Sequence, residues 1–467
     1  MRYVNQYGDA YTPEPGSFNV INAPVNPQAR ALITSYVQRI FQDFDPATFD
    51  SIRVGGGVRG ELRYPPPDWN GRHNAYWAFD VYAQDPAVSG IPPEVAGWRP
   101  GLDPNPGSVN RGQLIVNAGF ETIHERFAIP GWAPDYSLQT TLAASNTHGG
   151  QAALQATIPD DGRVRQYVPV APDSNYRFGA WMRTDDPGVA ARVYLTQVNA
   201  GNQVVPGAPY GQLQTNAADW AYDEGTLRTS PTTRYLKVEL AGEGPGVFGF
   251  DDLALMPENA PNAVSRDLDT PLAFYDWYVA QLSAYQQWQI DLMRQFYDGQ
   301  LDLLYPGKGL LPNQVSDALA NDLRGDGWAE TSSALYSATV FGWHVEALRE
   351  TTGLALYLTG IEEPPAHIVD DLSPYPNRWS AARWMAALGH EHGIPVWGEN
   401  GGQNNAEEMA LTVRRMHENG FLGLMWAFES ELYANPNPSG YATVDDYESW
   451  ITLYNDPRRR FLPLINK

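Results

Sequence analysis

The stretch Trp379-Ser-Ala-Ala-Arg-Trp-Met-Ala-Ala-Leu-Gly-His-Glu-His-Gly-Ile-Pro-Val-Trp397 combines a helical pattern with a short apolar strand. The same order of helix and strand recurs through the last part of the chain. Such alternation is typical of a parallel sheet or a (β/α)8 barrel, because each helix returns the chain to the start of the next strand. We predict helices at 271–297, 332–351, 379–392 and 406–418, and strands at 301–305, 354–358, 394–397 and 422–428.

The beginning of the chain extends this α/β pattern. Apolar residues at helical spacing predict a helix over 27–44, and 52–54 has the pattern of a short strand. We assign residues 1–108 to the N-terminal part of a TIM-type barrel, about strands three and four, with strand three at 3–7. Residues 267–467 are assigned to its C-terminal part, strands five to eight. Only 60 residues precede Glu61. Three βα units of about 30 residues each need more, so we expect the barrel to lack its first two strands.

Residues 113–257 have the pattern of an all-β domain inserted into the barrel. Short alternating runs such as Arg192-Val-Tyr-Leu-Thr196 are separated by turn residues, which is typical of a β-sandwich. A proline- and glycine-rich segment at 101–112 links it to the first part. The predicted fold class is therefore α/β, a (β/α)8 barrel with an inserted β-sandwich.

The composition excludes several classes of function. The net charge of −23 would repel nucleic acid, so we predict no nucleic-acid partner. The chain has no cysteine, which excludes disulfides, thiol catalysis and iron–sulfur clusters. No apolar run approaches the ~20 residues of a membrane span, and the first residues do not resemble a signal peptide. The high aromatic content, 12%, suits stacking on sugar rings as well as core packing.

Acidic side chains follow several of the predicted strands, where the catalytic residues of such barrels lie. Hydrolysis of a glycosidic bond needs two carboxyl groups, one acid and one base or nucleophile. We nominate Glu61 and Glu399 as this pair. Glu362 and Glu363 are either a solvated pair or part of the substrate subsites. The charged residues at predicted strand ends are Glu61, Lys308, Glu362, Glu363, Glu399, Glu429 and Glu431.

Three motifs carry a resemblance to known glycosidases. The stretch Val54-Gly-Gly-Gly-Val-Arg-Gly-Glu-Leu-Arg-Tyr-Pro65 resembles the β-amylase motif around the general-acid glutamate. Trp397-Gly-Glu-Asn-Gly401 and Met425-Trp-Ala-Phe-Glu429 resemble the strand-seven nucleophile and strand-eight tryptophan of clan A retaining glycosidases, such as family 42 β-galactosidases.

These resemblances imply a glycoside hydrolase acting on an oligo- or polysaccharide. Glu61 would protonate the leaving oxygen. Glu399 would attack the anomeric carbon in a retaining enzyme, or activate water in an inverting one. Side chains expected to bind the substrate are Arg63, Trp69, Tyr305, Glu362 and Trp426.

The inserted β-domain has a resemblance of its own. Ile115-Val-Asn-Ala-Gly-Phe-Glu121 and Phe248-Gly-Phe-Asp-Asp-Leu-Ala-Leu255 resemble a carbohydrate-binding jelly roll. Such modules often hold a structural calcium through hard oxygen ligands, which would implicate Glu121, Asp251 and Asp252. The alternatives are a packing domain without sugar binding, and a non-catalytic carbohydrate-binding protein with an incomplete barrel. The resemblance further implies an extracellular location, and the open barrel edge predicts a homo-oligomer that covers it.

Overall fold

The computed structural model describes most of the chain. The described residues are 2–13, 20–57, 60–105, 112–124, 129–134, 139–158, 162–260, 268–310, 314–323, 334–363, 371–374, 376–402, 405–427 and 440–455. The helices are α1 Pro27–Asp43, α2 Pro86–Ser89, α3 Asp269–Arg294, α4 Gln314–Leu319, α5 Phe341–Glu346, α6 Ala381–His392, α7 Ala406–Glu418 and α8 Val444–Asn455.

The strands divide into one parallel sheet and two antiparallel sheets. The parallel sheet contains β1 Ser51–Val54, β12 Gln300–Tyr305, β13 Leu354–Thr359, β14 Val396–Glu399 and β15 Leu424–Met425. The antiparallel sheets contain β2 Ala133–Pro134, β3 Gln139–Ala143, β4 Ala153–Ile158, β5 Arg163–Pro169, β6 Asn175–Thr184, β7 Ala191–Val198, β8 Gly211–Thr215, β9 Ala221–Arg228, β10 Tyr235–Gly242 and β11 Gly246–Pro257.

The parallel sheet has the order β1-β12-β13-β14-β15, and every neighbouring pair is parallel. The sheet is curved, because Arg53 of β1 reaches Tyr357 of β13 and lies 3.6 Å from Glu399 of β14. It therefore forms part of a barrel wall. Of the predicted barrel strands three to eight, the described residues form a five-stranded parallel sheet.

The predicted third barrel strand, residues 3–7, is wrong. The described residues there form only isolated antiparallel bridges, Val4 with Ala10 and Arg2 with Ile21. The chain reverses at Gly8, whose φ of 86° is in the left-handed region that favours glycine. The segment therefore pairs with its own neighbours and does not lie along β1.

The predicted helix over 332–351 is also corrected. Helix α5 spans only Phe341–Glu346, and residues 332–333 lie outside the described part. Ala338 has a φ of 53°, which an α-helix cannot contain. By contrast, the predicted helix at 406–418 is confirmed without change, and the helix at 27–44 is confirmed as α1.

The two antiparallel sheets pack face to face as a β-sandwich. Their orders are β2-β5-β10-β7-β8 and β3-β4-β11-β6-β9. Burial alternates along β5, as expected for a strand with one face toward a core. The core between the sheets has members from Ile115 to Leu255, with Trp132 and Phe248 fully buried. In the described part of the chain, no helix is long and apolar enough to cross a membrane.

Candidate functional site

The glycine-rich turn after β1 positions Glu61. At Gly55 a Cβ would overlap the carbonyl oxygen of Gly60, so only glycine allows the turn to fold back this closely. The Leu62 amide then donates to the carbonyl oxygen of Leu304 near the end of β12, 2.8 Å away. The turn thus fixes Glu61 at the carboxyl end of the parallel sheet.

Both carboxyl oxygens of Glu61 have a partner, one at the end of β13 and one in its own segment. The Thr359 hydroxyl donates to Oε1, and Nε of Arg63 lies 2.7 Å from Oε2. Thr359 is the last residue of β13 and the register partner of Glu399 on β14. Adjacent strands are about 4.8 Å apart, so Thr359 links the two glutamates that the sequence nominated.

Glu399 is held by two side chains that the sequence analysis did not nominate. The Tyr357 hydroxyl donates to Oε2 of Glu399 at 3.1 Å. The Arg53 guanidinium lies 3.6 Å from the same oxygen and 4.0 Å above the Tyr357 ring. Burial raises the pKa of Glu399, the bond from Tyr357 and the charge of Arg53 oppose the rise, and the charge of Glu61 adds to it. The charge of one carboxyl group therefore acts on the other.

Both glutamates line one cavity at the carboxyl ends of the parallel strands. Its volume is about 320 Å³, within the range of small-molecule sites. The strand ends supply polar side chains to its wall, and the loops after β12 and β14 supply glycine backbone. Its ionisable and hydroxyl side chains include Glu61, Arg63, Lys308, Thr359, Glu363 and Glu399.

Glu362, which we expected to bind the substrate, is not among the described residues that line this cavity. It is buried, and its carboxylate accepts from the Gly401 amide at 2.7 Å and from the Thr412 hydroxyl at 3.1 Å. The adjacent Glu363 lines the cavity and lies 2.8 Å from the ammonium of Lys308. The cavity-lining role therefore belongs to the second glutamate of the pair.

Tyr305 is corrected as well. It is fully buried, and its hydroxyl donates to Gln286 of α3. Its ring packs edge-on against Phe341, with ring centroids 6.0 Å apart. A ring enclosed in this way offers no face for stacking on a sugar.

Trp69 and Trp426 are not among the described residues that line the cavity. Trp69 packs against Tyr11, with ring centroids 5.0 Å apart. Trp426 follows β15, and its ring lies 5.5 Å from that of Tyr447 on α8. Glu429 and Glu431, which follow the last predicted strand, lie outside the described residues.

A faint signal for Tyr357 and Thr359 is present in the sequence. Side chains alternate along a strand, so these two residues share one face of β13 while the leucines face the helices. The run Leu354-Ala-Leu-Tyr-Leu-Thr359 is continuously apolar enough to hide this alternation. Only the polar groups of Tyr357 and Thr359, two positions apart and one strand away from Glu399, indicate that β13 contributes to the cavity.

The β-sandwich carries a second cluster of charged side chains. A Cβ at Gly119 would lie 3.2 Å from an oxygen of Asp252, 4.0 Å from one of Asp251 and 3.8 Å from Cγ of Glu121. Glu121 approaches this glycine with its Cγ only, and its carboxylate accepts hydrogen bonds from the amides of Gln151 and Ala152. The tightest group of potential ligands, however, combines the two aspartates with His148, whose Nδ1 lies 2.7 Å from Asp252.

Asp251 is a buried carboxylate. It accepts hydrogen bonds from the amides of His148 and Gly149, at 2.9 and 3.1 Å. Burial nevertheless raises its pKa to about 6, and the charge of Asp252 adds to the rise. A divalent cation would stabilise such a cluster, and carboxylate oxygens are the ligands that calcium prefers. The residues present therefore fit a calcium ion in their chemistry.

An aromatic platform covers the outer face of the β3-β4-β11-β6-β9 sheet beside this cluster. We use this name for Trp181, Trp220 and Tyr222. A Cβ at Gly179 would overlap the Tyr222 ring, and one at Gly249 would lie 3.0 Å from Trp220, so both rings cover glycines of the sheet. Tyr222 is 46% exposed and lies 5.4 Å from Trp181. Such a surface is suited to stacking on a sugar ring.

Comparison with known proteins gives likenesses for part of the chain. No protein-family model matches it, and no curated protein matches it. Among solved structures, it is similar to a family 16 carbohydrate binding module-2, at 21% identity and a TM-score of 0.25 over 31% of this chain and 99% of that chain. It is also similar to TmCBM61 in complex with beta-1,4-galactotriose, at 24% identity and a TM-score of 0.24 over 31% and 99%.

A third similar structure is the CBM22-1 xylan-binding domain from Paenibacillus barcinonensis Xyn10C. It is 12% identical, with a TM-score of 0.25, over 31% of this chain and 94% of that chain. At TM-scores this low, the likenesses support no conclusion about the function of this chain.

Proposed function

We propose that the chain is a glycoside hydrolase that cleaves O-glycosidic bonds of an oligo- or polysaccharide. One observation carries the proposal: Glu61 and Glu399 converge on one cavity at the carboxyl ends of parallel strands, close enough for the charge of one to act on the other. Two carboxyls in one cavity are the minimum that this hydrolysis requires.

The environments of the two glutamates suit different roles. Burial raises the pKa of Glu399, which favours a group that holds a proton. Arg63 places its positive charge 2.7 Å from Glu61, an arrangement that suits a carboxylate acting as nucleophile or base. We therefore assign the proton donor to Glu399 and the carboxylate to Glu61, the reverse of the roles that the resemblance implies.

Tyr357 and Arg53 are positioning residues in this scheme. Their contacts with one oxygen of Glu399 fix the carboxyl and leave its other oxygen for the leaving group. The Thr359 hydroxyl orients Glu61 in the same way. Fixed orientation matters because proton transfer requires hydrogen-bond distance to the glycosidic oxygen.

The test is turnover of a panel of p-nitrophenyl glycosides and unmodified oligosaccharides. Glu61→Gln and Glu399→Gln should each lower kcat/KM by roughly 10²–10⁴-fold, the usual contribution of acid–base catalysis. Glu391→Gln, on an exposed position of α6, is the matched control and should keep wild-type activity. Wild-type rates in both cavity variants would contradict the proposal.

The dependence on the leaving group separates the two roles. A p-nitrophenolate leaves without full protonation, whereas a sugar alcohol needs a proton. The variant of the proton donor should therefore retain more activity on p-nitrophenyl glycosides than on oligosaccharides. We expect this pattern for Glu399→Gln and a uniform loss for Glu61→Gln. The opposite pattern would restore the roles implied by the resemblance.

The aromatic platform favours a second candidate function, carbohydrate binding by the β-sandwich. Tyr222 and Trp220 present flat ring surfaces on one sheet face. Affinity electrophoresis in gels that contain soluble polysaccharides tests this function without reference to catalysis. Retardation of the wild-type chain, lost in Tyr222→Ala and kept in Glu399→Gln, would support it. Equal migration of all three in every gel would contradict it.

A further inference from the structure

Glu363 lies in a groove formed by three glycines from three neighbouring strand ends. A Cβ would lie 3.0 Å from its Cγ at Gly307, 2.7 Å at Gly360 and 3.1 Å at Gly401. These glycines follow β12, β13 and β14. Contacts closer than about 3.4 Å are tighter than ordinary van der Waals separation, so the groove accommodates this side chain only because no Cβ is present. The glycines thus enclose the Glu363 side chain closely, and Glu363 lines the cavity.

The preceding residues fix the loop from its other side. The amides of Gly360 and Ile361 both donate to the carbonyl oxygen of Glu399, at 2.7 and 3.0 Å. The buried carboxylate of Glu362 accepts from the Gly401 amide. The loop is therefore attached to the end of β14, and the carboxylate of Glu363 lies on the cavity side of that attachment.

The carboxylate of Glu363 meets the ammonium of Lys308 at 2.8 Å. The side chains are 31% and 54% exposed, and ion pairs of this kind contribute little to stability. The small contribution of this ion pair to stability therefore does not explain why the three glycines and the loop hold Glu363 in this position. The pair instead places an acceptor beside a donor on the wall of the cavity. Each sugar hydroxyl can both donate and accept, so two adjacent hydroxyls of one ring match this pair.

The charges around the cavity indicate a neutral ligand. Among the described residues, each cation beside the cavity faces one carboxylate, so these cations offer no excess positive charge to an acidic sugar. The facing pairs are Arg53 with Glu399, Arg63 with Glu61 and Lys308 with Glu363.

We propose that Glu363 and Lys308 bind two adjacent hydroxyls of a neutral sugar ring in this cavity and thereby determine which sugar is accepted. Glu363 is a specificity-determining residue here, distinct from the two carboxyls assigned to catalysis. The identity of the ligand as a sugar rests on the proposed function. The position of the contact rests on the glycine groove and the ion pair alone.

The experiment uses p-nitrophenyl β-D-galactopyranoside and β-D-glucopyranoside, which differ at one hydroxyl, and the four monodeoxy analogues of each. The variants are Glu363→Gln, Lys308→Gln and the control Glu391→Gln. Loss of a hydrogen bond to a charged partner should lower kcat/KM for the preferred parent roughly 10- to 100-fold. Removal of either of two adjacent hydroxyls should cost the wild type a similar factor.

The decisive result is non-additivity between variant and analogue. In Glu363→Gln and Lys308→Gln, the analogues that lack those two hydroxyls should show no further loss, because the contact is already absent. A uniform loss across all analogues would overturn the proposal, since a purely structural ion pair would act on every substrate alike. Wild-type discrimination in both variants would overturn it as well.

Binding measured without turnover separates this proposal from the proposed function. Isothermal titration calorimetry with methyl β-D-galactopyranoside, methyl β-D-glucopyranoside and their deoxy forms uses the wild type and Glu363→Gln. If the chain binds but does not hydrolyse, the hydrolase proposal fails and the same non-additivity in Kd still supports the Glu363 contact. If neither glycoside binds the wild type, the Glu363 proposal is overturned.

Discussion

Truncation of Glu362 should destabilise the chain strongly, although this residue is the neighbour of one that lines the cavity. Glu362→Ala removes a buried carboxylate and leaves the Gly401 amide without its acceptor, whereas the Thr412 hydroxyl can still donate to the carbonyl oxygen of Glu408. A hydrogen bond to a charged group is worth about 1.5–3 kcal/mol, so loss of the bond from Gly401 alone should cost about that much, and loss of the contact with Thr412 adds to it. That is a large share of the roughly 5–15 kcal/mol by which folded proteins are stable.

The isosteric variant Glu362→Gln separates the hydrogen bonds from the charge. Its amide oxygen still accepts from Gly401, and its amide nitrogen can donate to the Thr412 hydroxyl. We expect a loss less than half that of Glu362→Ala. Urea unfolding followed by tryptophan fluorescence measures both values, with Glu391→Gln as the exposed control. A loss within about 0.5 kcal/mol of wild type in Glu362→Ala, typical of surface positions, would refute the structural role.

Three further predictions follow from the charges and the glycines. Because the pKa of Glu399 is raised in the folded chain, the wild type should lose stability as pH rises through that pKa, and Glu399→Gln should not. The free energy of unfolding of Glu399→Gln minus that of wild type should therefore be larger at about pH 8 than at about pH 4. An equal difference at both pH values in urea titrations would contradict this. Calcium should raise the melting temperature of the wild type, because a calcium concentration of 100 times the Kd adds about 2.7 kcal/mol to the free energy of unfolding. Asp251→Asn should abolish that response, and melts that ignore both calcium and chelator would remove the cation site. Gly360→Ala places a Cβ 2.7 Å from Cγ of Glu363, at a residue whose φ is 88°. It should lower turnover more than Gly402→Ala, where no atom lies within 4 Å of the added Cβ. Equal rates of the two variants would contradict the close packing of Glu363 against these glycines.

The sequence reveals strands and helices where one pattern dominates. The alternation in β7 and the helical spacing in α7 are local, and both elements lie where the sequence predicts them. The pattern of residues 3–7 also predicts a buried strand. In the structure, however, the left-handed turn at Gly8 reverses the chain, and the segment pairs with residues that follow it closely. Such a reversal depends on one backbone angle, which the sequence pattern does not specify.

The sequence predicts the two carboxyl groups of the candidate site but not the side chains that contact them. Glu61 and Glu399 are conspicuous because each follows a strand within a recognisable motif. Their partners Thr359 and Tyr357 belong to an apolar strand, and only the register of β13 against β14 reveals them. Glu362 and Glu363 cannot be distinguished by sequence, because their opposite environments follow from how one loop docks on β14.

The homo-oligomer expected to cover the open barrel edge and the extracellular location stay predictions. In the described part of the chain, the outermost strands of the parallel sheet are β1 and β15. Open strand edges tend to pair with other chains, which keeps the expectation of a covered edge in place. Sedimentation of the full chain measures the oligomeric state directly.

Proton NMR of the products tests the catalytic pair most directly. The wild-type chain is incubated with neutral oligosaccharides, and new anomeric signals of reducing ends are followed with time. We predict that such signals grow with the wild type and with Glu391→Gln, and that they are lost with Glu61→Gln and with Glu399→Gln. The anomer formed first also decides between retention and inversion. Signals that grow equally with all four proteins, or with none of them, would contradict the assignment of Glu61 and Glu399 as the catalytic carboxyls.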